Sequence, residues 1–139
     1  MIEFHYELDF NLQDETKYAD WVNRIIISED RILAHIDFIF CTDAYLLEMN
    51  QKYLQHDTFT DIITFDYSEG ERIAGDVFIS IERVKDNAVN FQIAFEVELL
   101  RVMAHGVLHL IGYNDKSDSE IKMMRAKEDQ KMKLFHVEQ

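Results

Sequence analysis

His105 and His109 lie four residues apart in the run His105-Gly106-Val107-Leu108-His109-Leu110-Ile111-Gly112-Tyr113-Asn114-Asp115. On a helix this spacing stacks two imidazoles one turn apart on the same face, where both can reach a single metal ion. Gly112 lets such a helix close, because glycine takes the left-handed conformation common at helix ends, and the chain can then fold back to bring Asp115 toward the two rings. Three protein ligands with a fourth position left to water is the arrangement of catalytic zinc sites rather than of structural ones. Asp118 is a nearby substitute for Asp115 as third ligand. The same histidine spacing arises in ordinary amphipathic helices, so the surroundings decide its meaning. From Ala94 to Ile111 the segment is apolar on nearly every side, with Leu99, Leu100, Val102, Met103, Val107 and Leu108 among its residues. Such a helix is expected to be buried, and buried imidazole nitrogens need partners that a metal would supply.

The remaining elements must hold this helix in place. Ile2, Phe4, Tyr6, Leu8 and Phe10 alternate with polar residues and predict a half-buried strand. Asp14 or Thr16 can cap a helix carrying Tyr18, Trp21, Val22, Ile25 and Ile26 at helical spacing. A second alternating strand runs from Ile32 to about Cys41, and a strand–helix–strand order favours a parallel pair. Thr42-Asp43 opens another helix that gives way to a polar loop over residues 50–57. Residues 60–65 read as a strand, residues 68–71 as a turn centred on Gly70, and residues 73–81 as the returning strand of an antiparallel hairpin. Ser80 caps a short helix through Asn90. Ser117-x-x-Glu120 is a capping-box pattern that opens the last helix. The expected fold is α+β: a mixed four-stranded sheet with the elements in the order strand, helix, strand, helix, strand, strand, followed by helices. About five helices pack around the buried metal-bearing one, in a single domain spanning residues 1–139. His5 and His35 read as sheet-surface residues, since neither has ligand spacing to anything, and His136 falls in a fraying tail.

The run from His105 resembles the signature of the YbeY family of metal-dependent endoribonucleases, His-Gly-x-Leu-His-Leu-x-Gly-Tyr-Asp-His, with Asn114 and Asp115 standing where the family has Asp and its third His. Asn50-x-x-Tyr53 with Asp57-x-x-Thr60-Asp61-Ile62-Ile63-Thr64-Phe65, and Ala74-Gly75-Asp76-Val77, are similar to two further family segments. Met124 and Glu128 match a Met-x-x-x-Glu pair near the family's C-terminus. The resemblance covers roughly residues 45 to 130. It implies a single-strand-specific endoribonuclease acting in ribosomal RNA maturation and ribosome quality control. The implied partners are the 16S ribosomal RNA precursor and the ribosome or its assembly factors, with neither DNA nor a membrane. His105 and His109 are the implied catalytic residues, and His105, His109 and Asp115 the ligands of one zinc per chain. A carboxylate in place of the third imidazole lowers the charge of the ligated ion by one unit, which makes its bound water less acidic and admits a harder metal such as manganese. Leu54 stands where the family has an arginine linked to nuclease function, Phe59 and Asp66 replace prolines, and Lys52 or His56 are the candidate replacement cations.

Charge and composition bound these readings. The chain has 139 residues and a formal net charge of -13, the wrong sign for approaching RNA. The cations Lys116, Lys122, Arg125, Lys127, Lys131 and Lys133 gather toward the C-terminal end, where they also read as an ordinary solvated helix face. The single Cys41 fits a reducing compartment, and no stretch resembles a signal peptide or a membrane span, so a cytoplasmic location is expected. Two rival functions remain. A non-catalytic metal-binding ribosome-assembly factor would account for Leu54 and the acidic surface. A zinc metalloprotease shares His-x-x-x-His but needs a glutamate base directly after the first histidine, where this chain has Gly106.

Overall fold

A computed structural model describes residues 1–54 and 60–136 of the chain. His56, Asp57 and Phe59 lie outside the described residues, as does the side chain of His136. The elements run β1 (Ile2–Tyr6), α1 (Glu15–Ser28), β2 (Ile32–Cys41), α2 (Asp43–Leu54), β3 (Ile62–Asp66), β4 (Arg72–Ser80), α3 (Ile81–Phe91), α4 (Phe95–Ile111) and α5 (Asp118–Lys133), with a final 3₁₀ turn over Leu134–His136. The architecture is the expected α+β one. The sheet order is β1-β2-β4-β3, with β1 and β4 parallel to β2, and β3 antiparallel to β4.

Local chemistry sets most of the boundaries. The Asp14 carboxylate accepts the Lys17 N–H at the start of α1, and the Ser80 hydroxyl accepts the Arg83 N–H at the start of α3. Ser117 and Glu120 form a complete capping box at the start of α5. Gly70 supplies the positive φ of the hairpin turn. β1 is shorter than the alternation to Phe10 suggests, because its partner runs out: Tyr6 pairs with Phe40, the Glu7 N–H still reaches the Phe40 carbonyl, and β2 ends at Cys41. Leu8 and Phe10 continue to pack on the core without ladder bonds. α2 persists through Leu54, beyond the expected start of a loop at Asn50, and Asn50 is itself buried.

The main core lies between one face of the sheet and α1, α3 and α4. It includes Trp21, Ile25, Phe38, Phe40, Val77 and Met103, each 0% exposed. The indole of Trp21 also donates to the Lys131 carbonyl, which ties α1 to α5. On the opposite sheet face α2 covers a smaller cluster of Cys41, Leu46 and Ile63. The rest of that face carries Glu3, His5, His35 and Asp37.

Candidate metal centre

α4 is buried almost throughout, and two glycines let it lie directly on the sheet. A Cβ on Gly106 would fall 2.8 Å from both Ile62 Cδ1 and Val77 Cγ1. A Cβ on Gly75 of β4 would fall 2.6 Å from Leu110 Cδ2 and from the Phe65 carbonyl oxygen. Because Gly106 faces the sheet at this distance, the position after the first histidine has no room for the glutamate base of a zinc protease.

Seating α4 in this way turns His105 and His109 together toward the segment that follows the helix. Gly112, at φ 121°, ends α4, and the chain turns back so that Asp115 Oδ2 lies 3.1 Å from His105 Nε2 and 3.4 Å from His109 Nε2. The two Nε2 atoms are 2.9 Å apart. Asp118, the alternative ligand, is exposed at the first position of α5 and is not part of this group.

The hydrogen bonds behind the rings fix what those nitrogens can do. His109 Nδ1 lies 2.9 Å from the Tyr113 carbonyl oxygen, which can only accept, so Nδ1 carries the proton. His105 Nδ1 lies 2.7 Å from Glu128 Oε2. Burial works against ionisation of Glu128, yet hydrogen bonds from His105 and Arg101 hold its carboxyl below the ordinary range, so it too accepts. In their neutral forms both imidazoles therefore aim Nε2 lone pairs at one another and at a carboxylate oxygen. That arrangement is repulsive unless a proton on one ring or a metal ion lies between them, and it is the outer arrangement that metal-bound histidines adopt. Two imidazoles and one carboxylate form a donor set suited to zinc, and the structure passes this test of fit for a divalent ion. Burial opposes the charged form of His105, but Glu128, Asp115 and Asp61 outweigh it and leave the imidazole more basic than usual.

Outer residues reach the site from distant parts of the chain. Arg101 donates to Glu128 Oε1 at 2.9 Å and to Asp129 at 2.7 Å, locking α4 to α5. Tyr113 donates to Glu29 at the end of α1, and Glu29 also accepts from Lys127 and Lys131. A cavity of about 550 Å³ opens beside the triad, lined by His105 and Asp115 and also by Asp61, Glu98 and Arg125. Burial raises the Asp61 carboxyl above its usual range. Glu98 and the supporting role of Glu128 are not evident in the sequence. The one signal for Glu98 is a carboxylate set inside an otherwise apolar helix.

Of the two expected replacement cations, only Lys52 lies among the described residues, and it is placed elsewhere. Leu54 is 42% exposed at the end of α2, and Lys52 lies 5.3 Å from the centre of the Tyr53 ring rather than at the cavity. The guanidinium groups beside the triad belong to Arg101 and Arg125. His5 and His35 do lie on the open sheet face, but they share a partner there: His35 lies two residues from it along β2, and the register brings His5 beside it. Asp37 bonds to both, at 2.8 and 2.9 Å, with Glu3 alongside.

A sheet carrying a buried helix, with two helix histidines and a returning carboxylate converging on one point, defines an α+β protein with a candidate metal site. The chain belongs to the YbeY family. The family model, described as endoribonuclease YbeY, matches residues 4–136. A relative from Flavobacterium psychrophilum with that name is 58% identical over 139 residues, covering 100% of this chain and 99% of its own length. Another from Flavobacterium johnsoniae is 53% identical and is covered in full on both sides. The solution structure of TM1509 from Thermotoga maritima matches with a TM-score of 0.67 and 26% identity over 97% of this chain and 89% of that one. No helix among the described residues is long and apolar enough to cross a membrane.

Proposed function

We propose that this protein is a zinc-dependent, single-strand-specific endoribonuclease that matures ribosomal RNA and serves ribosome quality control. It acts as one cytoplasmic domain on the 16S precursor within the ribosome or with assembly factors. The observation that carries this reading is the convergence of His105 Nε2, His109 Nε2 and Asp115 Oδ2 beside an open cavity in a chain of this family.

His105, His109 and Asp115 would hold the ion. Zinc bound there supplies a polarised water and offsets charge building on the scissile phosphodiester. The protein's own part is orientation. Glu128 and the Tyr113 carbonyl hold both rings with Nε2 forward, and the cavity admits an unpaired strand while the buried α4 closes the site from behind. Arg125, with its side chain 61% exposed at the cavity, is placed to meet a backbone phosphate in the absence of an arginine at position 54. The rival reading, a metal-binding assembly factor without catalysis, draws on Leu54.

Metal content measured by elemental mass spectrometry comes first. About one zinc per chain is expected, with a clear loss in Asp115→Ala. Cleavage of ribosomal RNA precursor that requires metal and vanishes in folded His109→Ala then supports the nuclease. No cleavage with any metal supports the assembly factor. Cleavage that persists in His109→Ala marks a contaminant.

A further inference from the structure

The cavity beside the triad has a chemistry of its own. Phe91, Val102, Ile121 and Met124 give it apolar walls, and Phe91 and Ile121 are 57% and 49% exposed. An exposed aromatic ring beside a phosphodiester-cleaving site is a stacking surface for an unpaired base. At the inner end stands Glu98, which is only 4% exposed. Its Oε1 has no hydrogen-bond partner, and it is the one such buried side-chain atom among the described residues. Leaving a buried carboxylate oxygen unpaired is costly, so a group on the path of the substrate is expected to supply the missing donor. Burial and the nearby Asp61 push the Glu98 carboxyl above its usual range, although Arg101 and Arg125 oppose them, which is the behaviour of a charge short of donors.

A carboxylate presents two acceptors side by side. Guanine is the base whose pairing edge presents two adjacent donors, its ring N–H and its exocyclic amino group. Uracil offers a single N–H flanked by two carbonyl oxygens, which a carboxylate repels. Adenine and cytosine offer one amino group beside an unprotonated ring nitrogen.

We propose that this cavity is a nucleobase subsite next to the metal centre, and that Glu98 selects guanine there. The proposal rests on the nuclease reading and adds a base preference to it: the nucleotide beside the scissile phosphate is a guanosine.

The test is equilibrium binding of the four ribonucleoside 5′-monophosphates to the zinc-loaded full chain by titration calorimetry, which involves no cleavage. Guanosine monophosphate is expected to bind at least about tenfold more tightly than uridine monophosphate, with the other two also weaker. Glu98→Gln, which keeps the shape but replaces one acceptor with a donor, should erase that preference. Circular dichroism and zinc uptake equal to wild type would show that the variant is folded. Ile121→Asp, at the rim, should weaken all four nucleotides while leaving their order unchanged. Equal binding of the four bases, no binding of any, or a guanine preference that survives in Glu98→Gln would each overturn the proposal. A protein that binds guanosine monophosphate selectively yet cleaves no RNA would overturn the nuclease reading alone. One that cleaves RNA without base discrimination in binding would overturn this proposal alone.

Discussion

Each imidazole of the triad is aimed by an atom behind it, and for His105 that atom belongs to a residue 23 positions away. Glu128→Gln keeps a side chain of the same size but loses the charge that fixes the Nδ1 proton. Affinity for zinc should fall about 10- to 100-fold with all three ligands intact, as measured by competition with a chromophoric chelator. An unchanged affinity would remove Glu128 from the site's support. The triad was legible in the sequence because its members lie within eleven residues and a helix plus one turn connects them. Glu128, Asp61 and Glu98 were not legible as parts of one site. Their approach depends on how α4, α5 and the start of β3 pack, and a carboxylate in a helix pattern looks the same whether it faces solvent or a cavity.

At the scale of elements, the contact between α4 and the sheet is set by the absence of two side chains. Gly75→Ala should cost more stability than Gly106→Ala, because one of the atoms its methyl meets is the Phe65 backbone oxygen, whereas Gly106 meets only side-chain methyl groups of Ile62 and Val77. Urea denaturation should show losses on the order of 1–3 kcal/mol, with Gly75→Ala at the upper end. Equal or reversed losses would mean that the sheet yields more readily than the side chains. Element type and order were readable from alternation, helical spacing and caps, since these are local properties. The end of β1 was not, because a strand stops where its neighbour does. The meeting of His5 and His35 at Asp37 escaped the sequence for a related reason: His35 reaches Asp37 two residues along β2, but only strand register brings His5 beside them.

For the whole molecule, Glu29 is the point where the first helix, the loop carrying Tyr113 and the last helix meet. Burial favours its neutral form, but bonds from Lys131, Tyr113 and Lys127 prevail and bring its pKa down from 4.5 to about 2. A depressed carboxylate contributes stability that is fully present above its unfolded value and is lost as pH falls through its folded one. Glu29 therefore supports the fold above about pH 4.5 and ceases to do so as pH drops toward 2. Unfolding by urea as a function of pH should show a decline across that window. Glu29→Gln should flatten the decline and cost about 3 kcal/mol at neutral pH. An equally steep decline in the variant would shift the effect to other carboxylates.

The triad straddles a boundary in the chain: two of its members sit on α4, while Asp115 and the supporting Glu128 belong to the loop and helix beyond it. An ion held there would act as a cross-link, and its binding would add to the free energy that docks α5. Chelation should therefore speed amide hydrogen exchange in α5 and in residues 112–117, while amides of β2 and β4 keep their protection. Uniform protection with and without metal would mean that α5 is held by Trp21, Arg101 and Glu29 alone.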